Sequence, residues 1–467
     1  MPEDLKIDRR TLLKTAVSAG AAAAAPAVLA ADANAVRWSE VHDVVIAGAG
    51  GAGLAAAVMA GSISKDVIVL EKTQDVGGNT RLADAFNAVD PAVQKPLGIE
   101  DSPELHARQM LETGRWCADP KLVETVATGA PRALAWLKEL GVRFEPGVYQ
   151  VYGSLWPRTH SPSEPEGSGY IRPLLFKCRE LGVSIRTGTK VLRVIRNGLE
   201  GPVLGVEAER MNGRRLFIRA RRGVVVATGG FGANAELVGR FAPRLGHLRS
   251  TNLPGTTGDL IAPLEDIGAA STVERMIFVN RAGERFIAED SPSSKLSAAV
   301  LAQPGGIAFP ILDANGYSAM RTLSRAMFDR ALMRGDAFEA NSIPELASLL
   351  QIPAEALVAT VEAYNEAVET GHDPVGRRAV VLMHRIARRP FYGAKVTMCV
   401  NCTLGGIAIT PRAEVLDRHG RVIPRLYAAG EVTGGVHGAN YMGGNALSDV
   451  FTFGRIAGEN AVQEPFA

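Results

Sequence analysis

Three glycines and one acid carry the first chemical signal in the chain. Gly48, Gly50 and Gly53 form a Gly-x-Gly-x-x-Gly run directly after the apolar Val44-Val45-Ile46-Ala47, and Glu71 follows 23 positions after Gly48. Gly48 suits a tight turn, Gly50 lets the backbone approach a pyrophosphate, and Gly53 lets a helix pack closely on the strand. An acidic side chain at about this distance binds a pair of ribose hydroxyls. The free N–H groups and the dipole at the helix start favour phosphate charge. The chemistry indicated is nucleotide binding.

Elements must hold those residues. The apolar run before Gly48 predicts a strand, Leu54 to Ala60 a helix, and Val67-Ile68-Val69-Leu70 a second strand that ends in Glu71. Gly77-Gly78-Asn79-Thr80 comes next as a second glycine turn. The same logic recurs twice: Gly223-Val-Val-Val-Ala-Thr228-Gly229-Gly230 and Arg425-Leu-Tyr-Ala-Ala-Gly430-Glu431 are apolar strands tipped by glycine. Three glycine-tipped strands approaching one nucleotide predict an α/β fold, and the repetition is more specific than any single motif. Between Ser102 and Phe144 the apolar spacing is helical, while residues 145–169, rich in Pro, Gly and Ser, predict a long loop carrying Arg158 and His160. Either these two residues are a solvated pair or they serve the site. Val183–Thr187 and Lys190–Ile195 predict strands, and Val203 to Ala220 a hairpin turning at Asn212-Gly213. Residues 266–399 lack glycine-tipped strands and mix helical stretches such as Ala354 to Thr370 with short strands, which predicts an inserted domain.

The composition bounds the partners. The 467 residues suit one large or two ordinary domains, and 46% hydrophobic residues suffice for a sizeable core. A formal charge of +2 makes no electrostatic case for nucleic acid or an anionic membrane. At the start, Arg9-Arg10 precedes a mildly apolar, Ala-rich stretch from Ala16 to Ala31, and Ala33-Asn34-Ala35 offers a cleavage site. Residues 1–35 therefore predict a twin-arginine export signal and a periplasmic or otherwise exported protein, with no stable membrane span. The four cysteines include Cys399-Val-Asn-Cys402, but no second pair or His cluster completes a metal site, and no haem-attachment motif occurs. A redox disulfide is one reading of that pair; two thiols packing or lining a pocket is the plainer one.

Taken together, residues 42–462 resemble the soluble fumarate reductase-like FAD flavoproteins. The resemblance is carried by Gly48–Gly53 with Glu71, Gly77-Gly78-Asn79-Thr80, Asp119-Pro120, Ala227-Thr228-Gly229-Gly230-Phe231, Thr256-Thr257-Gly258-Asp259, Phe278-Val-Asn-Arg-Ala-Gly283-Glu-Arg285-Phe286 and Leu426-Tyr-Ala-Ala-Gly430-Glu431. Its most specific part is Gly434-Gly-Val-His437-Gly-Ala-Asn440-Tyr-Met-Gly443-Gly444-Asn445-Ala446. It implies an FAD-binding Rossmann-like domain built from residues 36–265 and 400–467, with an inserted α+β cap domain at 266–399. It further implies FAD held by Gly48, Gly50, Gly53, Glu71, Lys72, Gly78, Asn79, Thr80, Val191, Thr228, Gly229, Asp259, Gly430, Glu431, Gly444, Asn445, Ala446 and Leu447. The reaction implied is hydride exchange between the flavin and a carbon next to a carbonyl or carboxylate.

The substrate residues depart from that pattern. The family's His-Pro-Thr after Thr-Gly-Asp is absent, Ser293 stands where its proton-donating Arg is expected, Asn401-Cys402 replaces its His-His, and Tyr441 replaces its carboxylate-clamping Arg. A dianion needs cationic partners, so these changes argue against fumarate or succinate. Tyr441-Met-Gly443-Gly444 is similar to the Tyr–Gly motif of flavin-dependent ketosteroid dehydrogenases, more distant relatives. That likeness makes Tyr441, Cys402 and Gly444 the candidate catalytic group: Tyr441 exchanges a proton or binds a carbonyl, a Gly443 or Gly444 N–H polarises it, and Cys402 lines the pocket. The alternative is that Tyr441 only fills the space of the Arg beside the flavin. Lys295 is a candidate proton donor against the alternative of a solvated lysine, while His437 and Asn440 sit among the flavin-holding residues. Three functions stay open: C–C oxidation or reduction beside a carbonyl of a neutral or monoanionic substrate, the same reaction on an unsaturated carboxylate with Arg158 or another cap cation as substitute clamp, and a non-enzymatic flavin electron carrier. With no haem motif, the electron partner is external, a cytochrome or a quinone.

Overall fold

The computed structural model describes residues 28–31, 36–151, 153–198, 201–241, 247–260, 277–289, 293–318, 322–377, 382, 384–397, 400, 402–417 and 419–466. Of the segment expected to be an export signal, only Val28–Ala31 (β1) is described, as a strand parallel to Thr189–Asn197 (β7); the paired arginines lie outside the described residues.

The principal sheet has at its centre Glu40–Ala47 (β2), flanked in parallel by Val67–Leu70 (β3) and by Arg215–Val226 (β9). The sheet continues from β3 to Ser184–Arg186 (β6). On the other side β9 changes partner along its length. Its first half pairs antiparallel with Val203–Arg210 (β8), which pairs in turn with β7. Its second half, Val224–Val226, pairs parallel with Leu426–Ala428 of Val422–Ala428 (β16). The short strand Glu414–Leu416 (β15) pairs antiparallel with β16. The predicted hairpin is thus β8–β9, and the three glycine-tipped strands lie side by side as β2, β9 and β16.

Apolar side chains make this arrangement. Val44, Val45, Ile46, Val67, Ile68, Val69, Val224 and Val225 are all at most 2% exposed, as befits a parallel sheet covered on both faces. Burying each such side chain contributes about 1.5–3 kcal/mol relative to exposure. The helix Gly51–Ile63 covers one face and packs against the C-terminal helix Asn445–Gln463. That contact depends on small residues: a Cβ on Gly458 would lie 2.2 Å from Ala56 O.

A second sheet comes from residues 277–397. Ile277–Val279 (β10), Ile307–Asp313 (β11), Ala337–Ala340 (β12), Phe391–Ala394 (β13) and Val396–Thr397 (β14) pair antiparallel. Its own core gathers Ile277, Phe309, Ile311, Leu346, Leu357 and Val361. The helix expected at Ala354–Thr370 is there. Arg285 is buried in this region between two carboxylates, bonding Glu289 at 3.0 and 2.7 Å and Asp373 at 2.9 and 3.0 Å. Among the described residues, no helix is long and apolar enough to cross a membrane.

Candidate cofactor and active site

Strand register builds the site floor. Ala47 pairs with Leu70 on one side and with Val226 on the other, and Val226 pairs with Ala428. Four strands therefore end level, and the residues just beyond their ends, Gly48, Glu71, Thr228-Gly229 and Gly430-Glu431, converge on one edge. The turn at Gly48 has φ +101°, and a Cβ there would lie 2.3 Å from Ala227 O. A Cβ on Gly53 would lie 1.9 Å from Gly48 O, so the helix start must be bare. Gly50 differs: a Cβ would meet nothing nearer than Gly77 O at 3.9 Å, and at Gly229 nothing nearer than Thr256 Cγ2 at 3.9 Å. These two face open space. No side chain caps the helix start at Gly50.

The polar residues along this edge are held in place. Glu71 is buried, accepting from Ala49 N at 2.9 Å with one oxygen and from Thr73 N at 2.9 Å and Thr73 Oγ1 at 2.8 Å with the other. The turn through Gly77 and Gly78 docks when Gly77 N donates to Ala49 O at 2.8 Å and Gly51 N to Thr80 Oγ1 at 3.1 Å. Asn79 Oδ1 accepts from Leu253 N and Thr256 Oγ1, both at 3.0 Å, and its Nδ2 donates to Asn252 Oδ1 and to Glu431 Oε2. Burial raises the Glu431 carboxyl pKa even though Thr403 N donates to it at 3.0 Å. Lys72 is turned onto Asp259 and onto Thr257 Oγ1 at 2.6 Å, while Lys190 takes the other Asp259 oxygen at 2.8 Å. Burial pushes the Asp259 carboxyl up, but the two lysines outweigh it and hold it below the usual carboxylate range. Val191 is buried in β7 opposite Ala208.

At the other end of the edge, Gly444 has φ +85° and precedes the helix Asn445–Gln463, whose first turn is Asn445, Ala446 and Leu447, again with no side-chain cap. Tyr441, Cys402 and Gly444 come together there. Burial, then the neighbouring Cys402, hold the Tyr441 phenol well above its ordinary pKa, although the Gly444 N–H favours the phenolate. Burial, then Glu431, likewise pushes the Cys402 thiol up. Cys402 is a free thiol, and Cys399 lies outside the described residues. The His437 ring meets Tyr441 edge to face at 5.7 Å, and its Nε2 lies 3.2 Å from Asp449 Oδ2.

The site suits a large polar group. Thr228 Oγ1, Asn440 Oδ1 and Asn445 Nδ2 are buried without a partner along it. Two helix N-termini without side-chain caps and two glycines facing open space meet the needs of a dinucleotide's phosphates. A family model described as FAD binding domain matches residues 43–447. The chain belongs to the FAD-binding family of fumarate reductase-like flavoproteins. Its cofactor is FAD, and the family's members are FAD-dependent oxidoreductases. The flavoprotein is 35% identical over 450 residues to the NADH:fumarate oxidoreductase of Klebsiella pneumoniae (strain 342), covering 90% of this chain but 48% of that protein. It thus spans about half the length of that relative. The open conformation of a flavocytochrome c3 fumarate reductase superposes with TM-score 0.75 at 31% identity, covering 98% of this chain and 82% of that one. The 3-ketosteroid-Δ4-(5α)-dehydrogenase of Rhodococcus jostii RHA1 superposes with TM-score 0.73 at 29% identity, covering 93% and 99%.

The structure corrects two expectations. Arg158 and His160 are neither solvated nor free. Arg158 is 0% exposed, and it donates through Nε and Nη2 to Asp101 at 2.9 and 2.7 Å and through Nη1 to Gln109 Oε1 at 2.7 Å. Three of its five N–H donors are taken, and the whole guanidinium is sealed from solvent. His160 is buried, 3.3 Å from Ala88 O, and burial pushes its pKa down to about 4. The predicted long loop is pinned because Thr159–His160 (β5) pairs with Phe86–Asn87 (β4) beneath the site. Other residues near the site carry no local sequence signal: Asn87, His106, Asn252 and Lys190 reach it only through the fold. Asn401 and the side chains of Ser293 and Lys295 lie outside the described residues.

Proposed function

We propose that this flavoprotein oxidises or reduces a C–C bond next to a carbonyl, on a neutral or monoanionic substrate, and that it is not a fumarate reductase. The observation that carries this is the grouping of Tyr441, Cys402 and the Gly444 N–H at the start of the C-terminal helix, with both side chains held neutral. Four cations that could have substituted for the missing arginines are engaged: Arg158 with Asp101, Arg285 with Glu289 and Asp373, Lys72 and Lys190 with Asp259. A dicarboxylate would find none of these four free, and unpaired buried charge is costly.

Bound FAD supplies a hydride acceptor or donor for the carbon β to the carbonyl. The protein's residues supply the remainder. Tyr441, as a neutral phenol, donates a hydrogen bond or a proton on the substrate's α-carbon side, and the Gly444 N–H polarises the carbonyl where negative charge develops. In reduction the Tyr441 phenol would give its proton to the α-carbon and regain one from solvent; oxidation would require Tyr441 as the phenolate, the form the Gly444 N–H favours, to take the α-proton. Cys402, a neutral thiol, forms pocket wall. The likeness of Tyr441-Met-Gly443-Gly444 to the ketosteroid dehydrogenase motif supports the ketone over the carboxylate version, and the Rhodococcus jostii dehydrogenase superposes about as well as the flavocytochrome c3 fumarate reductase. The sequence of residues 1–35 supports export by the twin-arginine route, and the absence of a haem-attachment motif supports an external cytochrome or quinone as electron partner.

The test is an anaerobic substrate screen of the purified holoprotein. Saturated ketones should bleach its flavin absorbance, or unsaturated ketones should reoxidise the reduced protein. Turnover of fumarate or acrylate with no response to any ketone would sink the proposal.

A further inference from the structure

Asn445 is fully buried in the first turn of its helix, and its side-chain oxygen is doubly engaged. Asn87 Nδ2 donates to Asn445 Oδ1 at 2.8 Å, and His106 Nε2 lies 3.0 Å from the same oxygen. The chain of bonds sets the orientation of both amides. Asn87 Nδ2 also donates at 2.8 Å to the Gly443 carbonyl, which can only accept, and Asn87 Oδ1 accepts from Thr159 Oγ1 at 2.7 Å. Asn445 must therefore turn its oxygen toward Asn87, and that oxygen calls for a proton from His106. His106 is fully buried, and burial first, then the Arg158 cation, push its pKa down to about 4. The ring is thus neutral, with its hydrogen on Nε2; Nδ1 has no partner. On the opposite side of the amide, Asn445 Nδ2 is buried with two hydrogens and no acceptor. A buried donor of this kind is expensive to leave unsatisfied.

We propose that His106 is a positioning residue for the cofactor. It locks the Asn445 carboxamide so that Nδ2 faces an acceptor atom of bound FAD. The inference rests on FAD occupying this site. His106 does not touch the cofactor; it acts through Asn445, and Asn87 supplies the second fixed point. Removing the imidazole donor leaves Asn445 Oδ1 with one partner and lets the amide turn away.

The test measures FAD affinity and flavin midpoint potential on apoprotein reloaded with FAD. His106→Met should bind FAD roughly three- to tenfold more weakly, the effect of one lost hydrogen bond, and its midpoint potential should shift. His106→Gln keeps a donor and should restore both. Asn445→Leu should show the same loss, and His106→Met added to it should make it no worse. Equal losses in the Met and Gln variants would assign the effect to packing and overturn the proposal. So would a His106→Met protein with wild-type affinity and potential. If His106→Met does not fold, the Gln variant and Asn445→Leu still decide: the first must match wild type and the second must not. Failure of the wild-type protein to take up FAD is a separate outcome and would overturn the cofactor assignment instead.

Discussion

Replacing Arg158 by Met separates a structural arginine from a substrate clamp. In the folded protein its guanidinium makes three bonds, two to Asp101 at 2.9 and 2.7 Å and one to Gln109 at 2.7 Å, all out of contact with solvent. The Met variant keeps much of the volume but leaves Asp101 with only Gln94 Nε2 at 2.8 Å and Ser102 N at 2.9 Å. Breaking a buried pair on one side costs about 3–5 kcal/mol. The pH dependence gives a second handle. Burial pushes the Asp101 carboxyl up, but the bonds from Arg158 and Gln94 outweigh it, so its folded pKa is lowered. Its contribution to wild-type stability is therefore present above the ordinary carboxylate pKa of about 4 and is lost as pH falls through the lower folded value. In the variant the unpaired Asp101 favours protonation, so the gap between the two proteins should be widest near neutral pH and narrow in acid. Denaturant midpoints at saturating FAD, measured across pH, read the stability. Adding Asp101→Leu should recover most of the loss, since neither charge then remains buried. Kinetics on the best substrate should show an unchanged KM in whatever fraction stays folded. A variant as stable as wild type whose KM for an unsaturated carboxylate rises about tenfold, some 1.4 kcal/mol, would refute this reasoning and restore Arg158 as a clamp.

Gly50→Ala and Gly53→Ala should fail differently. Gly50, at φ −74° with open space before it, should fold as Ala but lose FAD, read as the flavin-to-protein absorbance ratio, whereas Gly53→Ala puts a Cβ 1.9 Å from Gly48 O and should yield little folded protein. Stoichiometric FAD in Gly50→Ala would contradict the cradle. Tyr441→Phe should lower kcat/KM by about 10²- to 10⁴-fold with the flavin content unchanged; because burial and Cys402 raise the phenol's pKa, wild-type activity should not follow a tyrosine titration below about pH 10. Cys402→Ala should retain activity, and the Cys402 thiol should resist iodoacetamide at neutral pH because its pKa is raised by burial and by Glu431; rapid alkylation with matching loss of turnover would make it a catalytic thiol.

Much of the fold was legible because its signals are local. A glycine-tipped apolar run is a property of ten consecutive residues, and β2, β9 and β16 formed where such runs occur. The turn at Asn212-Gly213 likewise needed only its own dipeptide. Arg158 shows where this stops. Its surroundings in sequence are Pro, Ser and Trp, which look like loop, but β5 is clamped against β4 and carries the arginine down onto Asp101, 57 positions earlier. His106 is the same case at greater range, on a helix with no glycine motif and 339 positions from the Asn445 it bonds.

The sequence by itself determined the glycine-tipped strands and the glycines that end them. Those features come from backbone freedom and side-chain period, which are written into neighbouring residues. Only the tertiary structure decided which charges are free. Whether Lys72, Arg158 or Arg285 faces a ligand depends on which carboxylate lies across from it, and each found one: Asp259, Asp101, and Glu289 with Asp373. Ion pairing is settled by distances between chain segments far apart in sequence, and burial then makes each pair costly to break.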